Sequence, residues 1–125
     1  KYKKKRKSIP AISLSTDTST LTAIGNDFSF NDIFSRQLES IGKPGDIAIG
    51  ITTSGKSKNV INALKLAKKK KITSVILTKK KYPNKKQIEK VSDLILGVPA
   101  DETARIQELH ILVGHLMCAV IDEVF

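Results

Sequence analysis

An eight-residue segment rich in hydroxyl side chains is the part of this sequence best suited to chemistry. Residues 50–57 read Gly-Ile-Thr-Thr-Ser-Gly-Lys-Ser and match the pattern G-x-x-x-x-G-K-[ST], which occurs in loops that bind nucleotide phosphates. An apolar run precedes the segment, and an amphipathic stretch follows it. A loop between a strand and a helix offers backbone N–H groups to a phosphate, and this loop adds hydroxyls and an ammonium. The sequence therefore predicts a phosphate site.

A nucleotide-hydrolysing enzyme needs more than this loop. A neighbouring strand has to end in an Asp that organises Mg²⁺, and neither residues 72–77 nor residues 93–98 end in a carboxylate. Gly50 is followed by Ile51, as if the strand continued past the first glycine of the pattern. The consecutive hydroxyls of residues 52–54 suit direct bonding to a phosphate monoester. An ATPase or GTPase with a nucleotide P-loop is therefore the less favoured alternative.

Strand-like and helix-like segments alternate along the chain and must position this loop. Apolar runs predict four strands, at residues 9–14, 47–51, 72–77 and 93–98. Helical spacing predicts helices over residues 28–41, 57–70 and 85–91. Capping residues predict a short helix that is capped by Asp17 or Thr18 and ends near Gly25, and a long helix with Asp101 as its N-cap that ends at about Val124. Because apolar strands that alternate with helices are typical of a parallel sheet covered on both faces, we predict one doubly wound α/β domain over residues 1–125.

The composition argues against several classes of protein. The net charge is +10, but the lysine clusters at residues 1–7, 68–71 and 79–86 have no interleaved aromatic residues, so we read them as solvated surface and do not expect a nucleic-acid partner. Cys118 is the only cysteine, which is typical of a reducing, cytoplasmic setting. No apolar run approaches the length of a membrane span, so we expect no membrane partner.

Six short segments of the sequence occur in an order and at a spacing that are typical of one family: LSTDT at 14–18, LTAIGND at 21–27, FSRQ at 34–37, PGD at 44–46, TTSGKS at 52–57 and ARIQELH at 104–110. They resemble the sedoheptulose-7-phosphate isomerase (phosphoheptose isomerase) family, a group of sugar-isomerase (SIS) domain proteins. The resemblance implies an aldose–ketose isomerase that interconverts sedoheptulose 7-phosphate and D-glycero-D-manno-heptose 7-phosphate, early in bacterial heptose (lipopolysaccharide or capsule) biosynthesis. It also implies an SIS-type, flavodoxin-like sheet and a homotetramer.

The resemblance also implies the site residues. Substrate contacts fall on Asn26 and Asp27, and zinc or substrate contacts fall on Gln107 and His115. The sugar phosphate falls on the hydroxyl residues of the loop, which are Thr52, Thr53, Ser54 and Ser57. Isomerisation moves a proton between C1 and C2, and His115 has a side chain suited to be the catalytic acid or base. Gln107 and His115 are about 80° apart around a helix and roughly 12 Å apart along it.

The sequence departs from the family in two ways. Thr52 stands where the family more often has Ser, and Lys56 stands where it more often has Asn, which creates the nucleotide-like pattern. The family also has an N-terminal region with the central strand, the catalytic Glu and two further zinc ligands, and nothing in residues 1–125 replaces it. We therefore expect a partial SIS domain in which residues 9–14 lack a neighbouring strand. Alone, it should bind phosphosugar weakly and catalyse little or nothing.

Two other readings involve the same domain. A non-catalytic SIS protein that binds a replication initiator protein typically has Asn in the position of His115 and Arg near Ser54, so both residues favour the isomerase. A phosphosugar-sensing regulator usually carries a helix-turn-helix module, and the sequence shows none.

Overall fold

Three parallel strands form the centre of the fold in the computed structural model, which describes residues 2–125; Lys1 of the basic N-terminal cluster lies outside them. The strands are β1 (Ile47–Ile51), β2 (Thr73–Lys79) and β3 (Leu94–Val98), in the order β1-β2-β3. In register, Ile49 lies opposite Val75, and Val75 lies opposite Leu94. The prediction of a parallel α/β sheet is confirmed.

Five helices and one short 3₁₀ turn surround the sheet. They are α1 (Thr18–Asp27), the 3₁₀ turn (Phe30–Asp32), α2 (Ile33–Ile41), α3 (Lys58–Lys69), α4 (Lys85–Val91) and α5 (Thr103–Val124). The predicted helix over residues 28–41 is therefore interrupted. The Ser29 hydroxyl accepts a hydrogen bond from the Asn31 N–H at 3.1 Å, and this local bond starts a separate turn before α2 begins.

Helices pack on both faces of the sheet, although the face of β1 opposite α3 stays exposed. On one face, α3 packs so closely on β1 that a Cβ on Gly50 would lie 2.6 Å from Val60 Cγ1. One buried cluster on this face consists of Val60, Ile61, Leu64, Ile76, Ile88 and Val91. On the other face, α5 contacts β2 and β3, and its Ile106 is fully buried. Because alternate residues of a strand point to opposite faces, β2 is buried on both, as a doubly wound fold requires.

The predicted strand at residues 9–14 is wrong. This segment has no strand conformation, and Ile12 is exposed. Only its end is anchored, where the Gln37 side chain donates a hydrogen bond of 3.0 Å to the Leu14 carbonyl. A strand needs a partner for its N–H and C=O groups, and the central strand that the resemblance implies is not among residues 2–125. The described part of the chain therefore has three strands, not four.

Helix capping was predicted correctly at one helix and wrongly at another. At α1 the Asp17 carboxylate accepts the Thr20 N–H at 3.0 Å, as expected for an N-cap. At α5 the N-cap is Glu102 rather than Asp101, because the helix begins one residue later than predicted. Asp101 instead forms an ion pair of 3.8 Å with Lys79 at the end of β2.

Two apolar surfaces remain uncovered within residues 2–125. The side chains of Ile47, Ile49 and Ile51 on β1 are exposed, and β1 pairs with β2 alone. Helix α5 exposes a row of apolar residues, which are Ile111, Leu112, Leu116, Val120, Val124 and Phe125. Contrary to the sequence-based expectation, α5 is long and apolar enough to cross a membrane by length and composition, with a mean hydropathy of 1.3 over 18 residues. One such helix is weak support for a membrane span.

Candidate functional site

The hydroxyl-rich loop begins where β1 ends. The strand runs through Gly50 and stops at Ile51, as the sequence predicted, so Gly50 belongs to the sheet and not to the loop. The Thr52 N–H still donates to the Leu77 carbonyl at 3.0 Å, which ties the start of the loop to β2. The site therefore lies at the carboxyl edge of the sheet, where open α/β folds bind their ligands.

A hydrogen bond closes this loop across its base. The Thr52 and Ser57 hydroxyl oxygens lie 2.8 Å apart, and Thr52 is 4% exposed. Ser57 is also the N-cap of α3, and its hydroxyl makes no capping bond to the helix. The first N–H groups of α3 and a hydroxyl therefore lie side by side, and an anion is the ligand that such a helix start favours.

Gly55 fixes the shape of the loop. Its φ is +68°, a left-handed conformation that favours glycine, and a Cβ there would lie 3.0 Å from Tyr82 Cβ and 3.1 Å from Ile88 Cδ1. Around it, Thr53 and Ser54 are half-buried, and the Ser54 hydroxyl accepts the Lys56 N–H at 3.1 Å. The conformation of Gly55 and this local hydrogen bond define the turn, with the Thr53 and Ser54 side chains partly accessible on it.

The stretch of sequence that contains the loop carries charge of one sign. No acidic residue occurs in the sequence between Asp46 and Glu89, a stretch that contains β1, the loop, α3, β2 and the start of α4. Lys56 and Lys58, on either side of Ser57, are both exposed. The helix dipole and these ammonium groups add to the same positive potential, so the loop is suited to a phosphate.

The pair Asn26 and Asp27 lies at the end of α1. Both side chains are exposed, and the Asn26 amide donates to the Asp27 carboxylate at 2.8 Å. Within residues 2–125 no hydrogen bond or ion pair joins this pair to the hydroxyl loop. The structure thus orients the two residues relative to each other, and their contact with substrate stays a prediction.

The predicted residues Gln107 and His115 lie on α5, across the sheet from α3. Both are exposed, and no hydrogen bond among the described residues joins either of them to the loop. The His115 ring instead stacks on the Tyr2 ring, with centroids 5.8 Å apart and planes 26° apart. Their roles in catalysis and metal binding therefore stay predictions.

The donor atoms for a metal ion are incomplete in the described part of the chain. A tetrahedral zinc site takes four ligands, or three and a water. Gln107 and His115 supply at most two donors, and residues 2–125 contain no group of three or more His, Cys, Asp or Glu side chains that could hold a metal. Gln107 and His115 therefore do not make a metal site by themselves, and a zinc site at these residues stays a prediction.

Sequence reasoning missed three buried polar groups near these elements. The Thr78 hydroxyl at the end of β2 is fully buried with no hydrogen-bond partner among residues 2–125, and it lies 3.3 Å from the position of a Cβ on Gly55. His110 on α5 is buried, and neither ring nitrogen has a hydrogen-bond partner in the described part of the chain. Asp122 is buried near the end of α5 and binds the N-terminal segment. For Thr78, a hydroxyl residue at the carboxyl end of a strand was the available signal.

Comparison with known proteins gives consistent matches over nearly the whole chain. The SIS domain model matches residues 19–123. A phosphoheptose isomerase from Sulfurimonas denitrificans is 54% identical over 118 residues, covering 94% of this chain and 59% of its own length. One from Nitratiruptor sp. is 47% identical over 125 residues, covering 100% of this chain and 65% of its own length. The chain thus spans less than two thirds of these relatives.

Solved structures show the same architecture. Phosphoheptose isomerase GmhA from Neisseria gonorrhoeae matches with a TM-score of 0.83 at 47% identity, covering 89% of this chain and 61% of its own. A phosphoheptose isomerase from Francisella tularensis matches with a TM-score of 0.88 at 37% identity, covering 94% of this chain and 62% of its own.

Proposed function

We propose a phosphosugar isomerase function, on the premise that this chain belongs to the SIS domain family. The reaction is the interconversion of sedoheptulose 7-phosphate and D-glycero-D-manno-heptose 7-phosphate, an early step of bacterial heptose biosynthesis for lipopolysaccharide or capsule. The similarity to phosphoheptose isomerases from several bacteria supports this choice of substrate.

The observation that carries the proposal is the Thr52–Ser57 hydroxyl bond at the start of α3. A phosphate monoester has enough oxygens to accept bonds from several hydroxyls and from the helix N–H groups at once. Thr53 and Ser54 extend the same surface, and the positive potential of the surrounding lysines favours a dianion. In this role the loop holds the 7-phosphate and leaves the other end of the sugar free to react.

The chemical step transfers a proton between C1 and C2 through an enediol. His115 is our candidate acid or base, because imidazole exchanges a proton near neutral pH. Asn26, Asp27 and Gln107 are candidates for hydrogen bonds to the sugar hydroxyls, which would fix the reacting carbons in place.

We also propose that Gln107 and His115 contribute two ligands to a zinc site. When bound, zinc would supply polarisation of the carbonyl oxygen of the sugar. The remaining ligands, and the catalytic carboxylate of the family, would come from residues other than 1–125. On this proposal the isolated 125-residue chain has little or no activity.

The proposed assembly is a homotetramer in the cytoplasm. The exposed apolar row on α5 supports an interface with another protein surface, since monomers rarely expose contiguous apolar patches of this kind. The free Cys118 is compatible with a reducing compartment.

The test is conversion of sedoheptulose 7-phosphate by the intact protein, with and without added zinc, followed by NMR of the sugar. His115→Gln should abolish turnover and leave the circular dichroism spectrum unchanged. Lys56→Asn is the matched loop variant: it removes the ammonium that a nucleotide P-loop requires and should leave isomerisation within about threefold of the unmodified protein. Absence of turnover in the intact protein, or ATP hydrolysis that Lys56→Asn abolishes, would refute the proposal.

A further inference from the structure

One buried carboxylate joins the two ends of the described chain. The Asp122 side chain on α5 is 1% exposed. It accepts hydrogen bonds from the backbone N–H groups of Lys3 and Lys4, the latter at 2.9 Å, and from Arg6 Nε at 2.8 Å. We call residues 2–6 together with Asp122 the clasp.

The Asp122 carboxylate stays ionised at all ordinary pH values. The backbone N–H groups of Lys3 and Lys4, followed by the Arg6 side chain, hold the pKa of Asp122 far below its usual range. Three donors converge on two oxygens, so nearly every acceptor direction of the carboxylate is used. Such a network fixes the path of residues 3–6 along α5.

The first residue of the clasp contacts His115, which is our candidate catalytic acid or base. Tyr2 directly precedes the anchored residues, and its ring stacks on His115 at 5.8 Å. His115 lies seven residues before Asp122, which is about two helical turns on the same side of α5. Among the hydrogen bonds of residues 2–125, none restrains the His115 ring, whereas the stack places the Tyr2 ring directly against it.

We propose that Asp122 is a positioning residue for His115: it anchors residues 3–6 on α5 and thereby holds the Tyr2 ring against the imidazole. The inference rests on the proposed function, in which His115 exchanges a proton with the sugar. An imidazole on an exposed helix face can otherwise adopt several rotamers, and misplacing a catalytic group by about 1 Å can lower the rate on the order of a hundredfold.

The chain offers a matched control for the Asp122 anchor and another for the Tyr2 ring. Asp122→Asn keeps the size of the side chain and removes its charge, whereas Glu123→Gln makes the same change in the next residue, whose ion pair with Lys4 is exposed. Tyr2→Ala removes the ring, whereas Tyr2→Phe keeps it. Arg6→Gln removes a single donor and serves if Asp122→Asn does not fold.

The first measurement is the NMR resonance of the His115 ring protons, assigned by its disappearance in His115→Gln. A stacked aromatic ring displaces these protons upfield. Asp122→Asn and Tyr2→Ala should return them downfield, with a smaller change for Arg6→Gln, and the two control variants should leave them in place. An unmoved His115 resonance in both Asp122→Asn and Tyr2→Ala would overturn the proposal.

The second measurement is steady-state kinetics of the intact protein. Asp122→Asn and Tyr2→Ala should lower kcat on the order of tenfold with KM nearly unchanged, because the phosphate loop lies on a different element. Equal losses in Glu123→Gln or Tyr2→Phe would overturn the positioning role. If the unmodified protein has no isomerase activity, the proposed function fails, and the NMR comparison alone still decides whether the clasp holds His115.

Discussion

Ser57 lies where two features that attract anions meet, the hydroxyl cluster and the start of α3. Its oxygen is 2.8 Å from that of Thr52, and as the N-cap it lies beside the first N–H groups of the helix. The order of strand, loop and helix along the sequence predicted a hydroxyl-rich loop at a helix start, but not the Thr52–Ser57 bond or the N-cap position of Ser57. The roles of residues on other elements depend on long-range packing and could not be derived in the same way.

The first prediction concerns this hydroxyl. Ser57→Ala should raise KM for the sugar phosphate about tenfold, since one hydrogen bond to a charged group contributes roughly 1.5 kcal/mol. The phosphate lies away from the reacting carbons, so kcat should change little. Ser57→Thr keeps the hydroxyl and should restore KM. A fall in kcat at constant KM would show that Ser57 acts on the chemical step instead.

At the scale of the elements, the space around a glycine Cα shows how closely two elements pack. A Cβ on Gly50 would lie 2.6 Å from Val60 Cγ1 and 3.1 Å from Leu64 Cδ1, whereas one on Gly114 of α5 would have no heavy atom within 4 Å. Gly50→Ala should therefore destabilise the protein by about 1–3 kcal/mol, because β1 and α3 must separate. Gly114→Ala should stabilise it by roughly 0.5–1 kcal/mol, because alanine favours helix.

Urea denaturation of both glycine variants measures these free energies of unfolding. A neutral Gly50→Ala would mean that α3 does not pack on β1 as described. A destabilising Gly114→Ala would mean that another surface lies against this part of α5 in solution.

A second element-scale prediction concerns the joint between β2 and β3. The Asp93 carboxylate accepts hydrogen bonds from the Ser74 hydroxyl at 2.7 Å and the Ser74 N–H at 2.8 Å, and Lys68 Nζ lies 3.2 Å from it. The Ser74 hydroxyl, followed by the Ser74 N–H and Lys68, lowers the pKa of Asp93 to about 2. The folded protein therefore binds fewer protons here than the unfolded chain does.

The sign of the pH effect follows from this depressed pKa. The stabilisation from Asp93 is present above about pH 4 and is lost as the pH falls from about 4 to about 2. Asp93→Asn should thus be less stable than the unmodified protein at pH 6, and the difference should shrink by pH 2.5. Urea titrations at both pH values measure it. Glu89→Gln, in an exposed pair with Lys85, should show no such pH dependence.

The elements also show where sequence reasoning fails. The Asp17 cap and the ends of β1 depend on neighbouring residues, and they were predicted correctly. The strand over residues 9–14 was predicted from apolar content, but strand formation depends on a partner far away in the sequence. The stack of Tyr2 on His115 joins opposite ends of the chain, so no local pattern signals it.

For the whole molecule, the exposed row on α5 predicts association. Leu112, Leu116, Val120 and Val124 recur every four residues, which produces one apolar stripe along the helix. Replacing Leu116 and Val120 by Glu in the intact protein should reduce the assembly to smaller species in sedimentation velocity. Lys65→Glu on the exposed side of α3 is the matched control and should not. An unchanged sedimentation coefficient would exclude this stripe from the interface.

The clasp of residues 2–6 and Asp122 also has a kinetic consequence. Its partners are up to 119 positions apart, so closing it restricts nearly the whole chain and is expected late, after the sheet has formed. Contacts that form after the transition state govern unfolding rather than folding. Asp122→Asn should therefore increase the unfolding rate and leave the refolding rate nearly unchanged. The slopes of both limbs of the chevron plot should stay the same. The contacts that form last in folding would then determine the lifetime of the native state.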